Sequence, residues 1–183
     1  MPDILIRDIQ PGDNAGLALI VRNALAEFGA NKPGTVFFDP TTDHLYELFQ
    51  AAGSAYFVAV DNSTPVAGDA PSDGRALLGG AGTLLGGAGL FPSPGLPEGT
   101  CELVKMYLRP EARGMGLGST LIRRCLDQAR EMDYRSIYLE SMPELRQALV
   151  VYERFGFRYL DGPMGNTGHF GCDRWMLLEF QKI

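Results

Sequence analysis

The segment RPEARGMGLGS, residues 109–119, places glycine at positions 114, 116 and 118. It joins a predicted strand, Cys101–Leu108, to a predicted helix, Gly116–Met132, that has one apolar face. Glycine lets a backbone turn tightly and approach a ligand, and the N–H groups that open a helix lack internal partners. The helix dipole adds partial positive charge at the same end. We therefore expect a phosphate or pyrophosphate to bind here, with Arg113 supplying formal charge.

Two known phosphate-binding patterns differ from this segment. A nucleotide P-loop requires a lysine after its last glycine, and the segment contains none. A dinucleotide-binding turn requires a third glycine, whose position falls on Ser119 when counted from Gly114. Glu140 nevertheless ends the next predicted strand, where such folds hold a ribose-binding acid. A nucleotide-dependent oxidoreductase therefore stays open as an alternative.

Strands and helices mix along the chain on both sides of the glycine-rich segment. Asp13 is expected to cap a helix whose apolar face runs from Leu17 to Phe28. Residues 43–51 predict a short helix, and Ser141–Glu144 has the form of a capping box before a helix that Gly156 ends. The mixed order predicts an α/β fold with a single central sheet. Its other strands are predicted over Ile4–Ile9, Ala55–Val60, Arg135–Glu140, Phe157–Leu160 and Arg174–Phe180.

The length of 183 residues predicts one domain, 1–183, at about 150 residues per domain. Proline, glycine and serine predict loops over residues 61–75 and 91–99. The sequence Leu-Leu-Gly-Gly-Ala-Gly occurs twice, at residues 77–82 and 84–89. We expect one copy to lie in a strand whose backbone neighbours approach closely.

Composition and charge exclude several classes of function. Lysine and arginine number 16 against 22 acids, and a net charge of −6 opposes nucleic-acid binding. No apolar run approaches the roughly 18 residues of a membrane span, and the first residues do not resemble a signal peptide. Three scattered cysteines are typical of free thiols in the cytoplasm. No histidine or cysteine spacing indicates a metal site.

A family resemblance rests on three motifs that occur in order. Arg113–Gly118 matches the Arg/Gln-x-x-Gly-x-Gly/Ala signature of the GNAT superfamily, the acetyl-CoA-dependent N-acetyltransferases. Glu102–Leu108 looks like the fourth strand of that superfamily, and Ala148–Phe157 looks like its later helix and turn. The resemblance implies a GNAT-like α/β (α+β) fold with a mixed, mostly antiparallel sheet flanked by helices. It implies acetyl-CoA as co-substrate, no metal, and a small-molecule or peptide primary amine as acceptor, and it allows a homodimer.

The resemblance also assigns roles to particular residues. Glu102 is the expected base that removes a proton from the amine, with Glu140 as the second choice. Tyr152 is the expected proton donor to the departing thiolate, although its helical spacing also fits a buried core residue. The residues themselves, rather than the resemblance, suggest the loop 162–173 as a candidate acceptor wall with polar groups at Asn166, His169 and Asp173, and His169 is a further candidate base near neutral pH. The expected coenzyme-binding residues are Met106, Tyr107, Leu108, Arg113, Gly114, Met115, Gly116, Leu117, Gly118 and Ser119.

One position departs from the family pattern. The family often has asparagine seven residues before the tyrosine, and this chain has Leu145 there. A contact to the pantetheine arm is therefore in question. A non-catalytic acyl-CoA-binding sensor with the same fold is the alternative to an enzyme, and release of free CoA thiol would separate the two.

Overall fold

The computed structural model describes residues 3–63 and 82–181. Segments with alternating apolar residues form its strands, and amphipathic segments form its helices. The helices are α1 (Asn14–Glu27), α2 (Leu45–Leu48), α3 (Leu117–Glu131) and α4 (Arg146–Arg154). Short 3₁₀ turns lie at Pro11–Asp13, Val36–Phe38, Pro40–His44 and Pro110–Ala112. The strands are β1 (Ile4–Asp8), β2 (Ala55–Asp61), β3 (Thr83–Phe91), β4 (Thr100–Leu108), β5 (Ser136–Ser141), β6 (Arg158–Tyr159) and β7 (Arg174–Glu179).

The described strands form one sheet in the order β1-β2-β3-β4-β5-β7-β6. Every neighbouring pair is antiparallel except β4 and β5, which run parallel. The predicted mixed, mostly antiparallel sheet flanked by helices is therefore confirmed. A dinucleotide-binding fold needs a mostly parallel sheet, so this topology removes the oxidoreductase alternative.

The parallel strands β4 and β5 separate soon after they meet. They pair only where Thr100–Glu102 faces Ser136–Tyr138. Beyond Glu102, β4 continues to Leu108 and stays bonded to β3, while its other edge has no strand partner among the described residues. The result is a wedge-shaped cleft in the sheet that is bordered by the free edge of β4.

Alternating side chains of β2 divide the core into two layers. Phe57 and Ala59 pack in one cluster with α3 and α4, whereas Tyr56, Val58 and Val60 pack in another with α1 and α2. This alternation is what a strand covered on both faces requires. Among the described residues, no helix is both long enough and apolar enough to cross a membrane.

The close backbone approach expected from the repeated sequence occurs in its second copy. Residues 84–89 lie in β3, where a Cβ on Gly86 would collide with the carbonyl oxygen of Tyr107. Most of the first copy, residues 77–81, lies outside the described residues. The predicted loop 61–75 also falls mainly outside them, although Asp61 itself ends β2.

Two helix-start predictions are wrong. Asp13 lies at the N-cap of α1, but its buried carboxylate binds Arg7 at 2.7 Å and the Gln10 N–H instead of capping. Ser141 ends β5, and α4 begins only at Arg146 without a side-chain cap.

Candidate active site

A cavity of about 650 Å³ occupies the cleft between β4 and β5. The edge of β4, the start of α3, the end of β5 and one face of α4 line it. Met115 and Leu117 do not line it: the Met115 side chain is 51 % exposed and the Leu117 side chain is buried. The other predicted site residues do, namely Glu102, Met106, Tyr107, Leu108, Arg113, Gly114, Gly116, Gly118, Ser119 and Tyr152.

The glycine-rich loop presents main-chain donors at the start of α3. Gly114 and Gly116 have backbone φ angles of +77° and +80°, which residues other than glycine adopt only with strain. A Cβ on either glycine would meet nothing within 4 Å, so the protein leaves that space open. Among the described residues, none accepts a hydrogen bond from the N–H groups of residues 114–119. These N–H groups, which we call the N–H cradle, and the helix dipole have the chemistry that suits an anion.

The Arg113 side chain braces this loop. Its guanidinium binds both carboxylate oxygens of Glu27 at 2.7 and 2.9 Å, donates to the Leu108 carbonyl, and lies 5.2 Å from the centre of the Phe28 ring. The positive charge of Arg113 is therefore paired with the carboxylate of Glu27 at the end of α1. Arg146 and Arg154 of α4 line the same cavity, and these two cations were not expected from the sequence, where α4 was interpreted by its buried face.

Glu102 is the most buried carboxyl group of the cleft, with 2 % of the residue exposed. The strand places it where β4 and β5 part, opposite Tyr138. The Ser93 hydroxyl donates a hydrogen bond to its Oε2. Its Oε1 lies 3.9 Å from Nδ1 of His169. A buried carboxyl group beside a cleft, held on one oxygen and approached on the other, is suited to proton transfer.

A β-bulge in β4 brings Lys105 into a buried ion pair. The register with β3 shifts between Gly87 and Gly89, and Lys105 takes a φ of +50°. Its Nζ lies 2.5 Å from Oδ2 of Asp39, and the Tyr56 hydroxyl donates to its carbonyl at 2.8 Å. Strained backbone of this kind is held by its surroundings and clusters at functional sites.

His169 bridges the two acids. Its Nε2 lies 3.9 Å from Oδ2 of Asp39, on the side of the ring opposite Glu102. Burial lowers the pKa of His169, but Asp39 and Glu102 outweigh burial and raise that pKa to about 9. Burial has the opposite effect on the acid and raises the pKa of Asp39. Hydrogen bonding and charge from His169 and Lys105 outweigh burial and hold the pKa of Asp39 well below its ordinary value. His169 is therefore a cation at neutral pH, and it cannot accept a proton there.

Glu102, Glu140 and His169 bring their ligand atoms within 4.8 Å of one another, which is close enough for a metal ion. The hydroxyls of Ser93 and Tyr138 already donate to the two carboxyl groups. Burial raises the pKa of Glu140. Because histidine must be neutral to bind a metal, the raised pKa of His169 disfavours one here.

Tyr152 lies where helix α4 faces the free edge of β4. Its side chain is largely buried, its hydroxyl donates to Sδ of Met106 at 3.6 Å, and its ring packs edge-on against Phe157. Burial raises its pKa, so the hydroxyl keeps its proton at neutral pH. The residue therefore packs in the core and also reaches the cleft.

The predicted acceptor wall is only partly brought to the site. His169 lines the cleft, whereas Asn166 and Asp173 do not, and their N–H groups donate to the carbonyls of Pro94 and Ser141. Asp39, Lys105 and Ser93 were missed. Asp39 and Lys105 are 66 residues apart in the chain, and Ser93 is 9 residues from Glu102. No local spacing in the sequence indicates either pair.

The chain is similar to known acetyltransferases. A model described as the acetyltransferase (GNAT) family matches residues 25–157. The Uncharacterized N-acetyltransferase YjgM of Escherichia coli is 35 % identical over 177 residues, which cover 96 % of this chain and 94 % of that protein. An acetyltransferase structure of the GNAT family from Staphylococcus aureus has a TM-score of 0.76 at 17 % identity and covers 97 % and 99 % of the two chains. The structure of yncA from Salmonella typhimurium with its cofactor acetyl-CoA has a TM-score of 0.68 at 18 % identity, covering 99 % and 96 %.

Proposed function

The chain belongs to the acetyltransferase (GNAT) family, and on that premise we propose that it transfers the acetyl group of acetyl-CoA to a primary amine. One observation carries the proposal: the cleft runs from the free N–H groups of residues 114–119 to the buried carboxyl group of Glu102. The complex of the Salmonella protein with acetyl-CoA supports the choice of donor.

The cleft suits the two ends of the coenzyme. The N–H cradle would hold its diphosphate, and Arg146 and Arg154 across the cavity would add positive charge. The pantetheine arm carries amide groups that can bond to main chain. The unpaired edge of β4 at Met106, Tyr107 and Leu108 offers such groups, and the thioester would then lie toward Glu102.

The chemistry requires a neutral amine nitrogen. An alkyl ammonium has a pKa of about 10.4, so a base must take its proton at neutral pH. Glu102 fills this role, since it is buried beside the cleft and His169 is already protonated. The nitrogen then forms a bond to the carbonyl carbon of the thioester. Main-chain N–H groups of β4 stabilise the oxyanion, an interaction worth about 3 kcal/mol per donor.

Collapse of the tetrahedral intermediate breaks the carbon–sulfur bond and releases the thiolate of coenzyme A. The Tyr152 hydroxyl is protonated and lines the cleft, so it donates a proton to the sulfur. The nitrogen became cationic when it bonded to the carbonyl carbon, and it loses its second proton to solvent as the intermediate collapses. The products are a neutral amide, coenzyme A with a free thiol and, overall, one released proton. Solvent returns the proton to Tyr152 and removes the one held by Glu102, and the site is restored.

The proposed partner is a small-molecule or peptide amine, rather than a nucleic acid or membrane. A net charge of −6 favours the approach of a cationic amine over that of a polyanion. The proposal retains the cytoplasmic location expected from the sparse cysteines. It also retains the homodimer allowed by the family resemblance.

Glu102→Gln tests the proposal. We expect kcat for acetylation of an amine panel, measured by release of CoA thiol, to fall by about 10²- to 10⁴-fold because the base is lost. Acetyl-CoA affinity should change little. Glu144→Gln is the matched control, since Glu144 lines the same cavity but is exposed and pairs with Lys32 at 3.8 Å.

Two outcomes would contradict the assignment. If Glu102→Gln turned over as fast as the parent, the base would be another group, and Glu140→Gln would be the next variant to measure. If the unaltered protein bound acetyl-CoA but released no thiol with any amine, the sensor alternative would replace the enzyme.

A further inference from the structure

A second cavity of about 420 Å³ is lined by Glu102 but by none of residues 113–119. It shares five lining residues with the cleft, Thr35, Glu102, Val104, Lys105 and His169. Its volume is in the range of about 300–1,000 Å³ that suits small organic ligands. A molecule in this cavity would therefore reach the proposed base from outside the N–H cradle.

Three phenylalanines are among the residues that line this second cavity. Phe38, Phe91 and Phe170 all line it, together with Leu48. Phe38 is 60 % exposed and Phe170 is 83 % exposed. Among the described large apolar side chains, only these two and Met115 of the glycine-rich loop are more than half exposed. Two uncovered aromatic rings on one small cavity indicate a ligand with an apolar part.

The Phe170 ring is held in place despite its exposure. A Cβ on Gly34 would lie 2.5 Å from two of its ring atoms, so the ring rests directly on that backbone. The N–H of Gly171 donates to the carbonyl of Gly34 at 2.8 Å and joins the two segments. The edge of the Phe170 ring that carries Cδ2 and Cε2 is therefore fixed against Gly34, and the rest of the ring is free to contact a ligand.

The acids and cations that line this second cavity are paired with one another, and Glu140 of the neighbouring cleft lies within 4.8 Å of Glu102 and His169. The described lining of the second cavity contains two acids, Asp39 and Glu102, and two cations, Lys105 and His169. Lys105 pairs with Asp39 at 2.5 Å, and His169 lies 3.9 Å from both acids. The reacting nitrogen gives its proton to Glu102 in the proposed reaction, whereas a second ammonium would have to displace Lys105 from Asp39 or His169 from Glu102 to find an acid in this lining. A polyamine is therefore a poor fit, and an amine with a single charge and an apolar body fits well.

We infer that the amine acceptor is a small primary monoamine with an aromatic group, bound in this second cavity between Phe38 and Phe170 with its nitrogen toward Glu102. The inference rests on the proposed function. It adds the class of acceptor and the residues that select it.

Comparison of three amines as acceptors tests the inference. With saturating acetyl-CoA, kcat/KM is measured for phenethylamine, butylamine and putrescine by release of CoA thiol. We expect phenethylamine to exceed butylamine by at least about tenfold, because the ring is buried against phenylalanine, and putrescine to be slowest.

Phe170→Ala should lower kcat/KM for phenethylamine by about tenfold, chiefly through KM, and leave butylamine and acetyl-CoA constants within about twofold. Phe170→Leu, which keeps an apolar wall, should fall between the parent and the alanine variant. Leu5→Ala is the control, since Leu5 is 46 % exposed and lines neither cavity.

The failures are distinguishable. Preference for putrescine over phenethylamine, or equal loss for phenethylamine and butylamine in Phe170→Ala, would overturn the acceptor class and leave the transferase in place. Absence of thiol release with these three amines and the wider panel would instead contradict the proposed function.

Discussion

The proposed donor side and the proposed acceptor side of this site, called the donor side and the acceptor side, are built in different ways. On the donor side, consecutive main-chain N–H groups of residues 114–119 face open space, and two glycines permit the geometry. On the acceptor side, side chains from separate segments meet, with Asp39, Glu102, Lys105 and His169 joined by charge. A main-chain site depends on local conformation, whereas a side-chain site depends on the whole fold.

This difference has a consequence for specificity. The donor loop leads into α3, and its geometry is tied to the packing of that helix on the sheet. Asp39 and His169 lie on connecting segments, which tolerate substitution better than sheet strands do. If the two sides are as proposed, substitutions at Asp39 and His169 would alter the acceptor side with little effect on the donor loop.

Gly116→Asp is expected to have the largest effect on the donor side. The residue would adopt a φ of +80° with strain, and its charge would oppose the diphosphate. We expect acetyl-CoA to bind at least about 100-fold more weakly, a loss of about 2.7 kcal/mol, measured by calorimetric titration.

Gly29→Asp is the matched control for backbone strain. Gly29 has a φ of +67°, and a Cβ there also meets nothing within 4 Å, but it lines neither cavity. Equal loss of acetyl-CoA affinity in both variants would show that strain alone is responsible. Unchanged affinity in Gly116→Asp would place the coenzyme diphosphate elsewhere.

The same contrast explains what the sequence could predict. Residues 113–119, with a strand before them and an amphipathic helix after them, contain the donor site within one short window. The order of strands and helices followed from apolar periodicity. Periodicity could not predict the separation of β4 from β5, because no local pattern records where two strands stop pairing.

The acceptor side shows why the rest could not be predicted. Asp39 binds Lys105 across 66 residues, and Lys105 reaches it only because a bulge turns β4 to a φ of +50°. His169 has an isolated position in a glycine-rich loop. Its bridging role follows from the tether of that loop to Gly34. Only the tertiary fold brings these residue pairs together, so periodicity and spacing in the sequence do not predict them.

The pH dependence of stability sharpens the comparison on the acceptor side. The pKa of His169 rises from 6.5 to about 9 on folding, so the folded protein binds this proton more tightly than the unfolded chain. The stabilisation is complete below pH 6.5 and is lost as pH rises through 9. At 1.36 kcal/mol per pKa unit, the rise corresponds to about 3 kcal/mol.

Urea unfolding of the parent and of His169→Gln at several values of pH measures this contribution. The free energy of unfolding of the parent should fall between pH 6.5 and 9 relative to that of the variant. His44→Gln removes the other histidine, which is exposed, and should run parallel to the parent. A constant difference between parent and His169→Gln over this range would mean that His169 does not gain its proton on folding.

Tyr152→Phe has the smallest expected effect and asks whether a residue shared by the core and the cleft takes part in the reaction. The phenyl ring keeps the contact with Phe157, and only the hydroxyl beside Met106 is lost. A proton donor to the leaving thiolate contributes to the transition state alone, so we expect kcat to fall by about tenfold or more with acetyl-CoA affinity unchanged. Tyr159→Phe removes a hydroxyl from a ring that is 48 % exposed and should leave kcat unaltered. If turnover of Tyr152→Phe matched that of the parent from neutral to alkaline pH, Tyr152 would belong to the core alone, and the thiolate would take its proton from water.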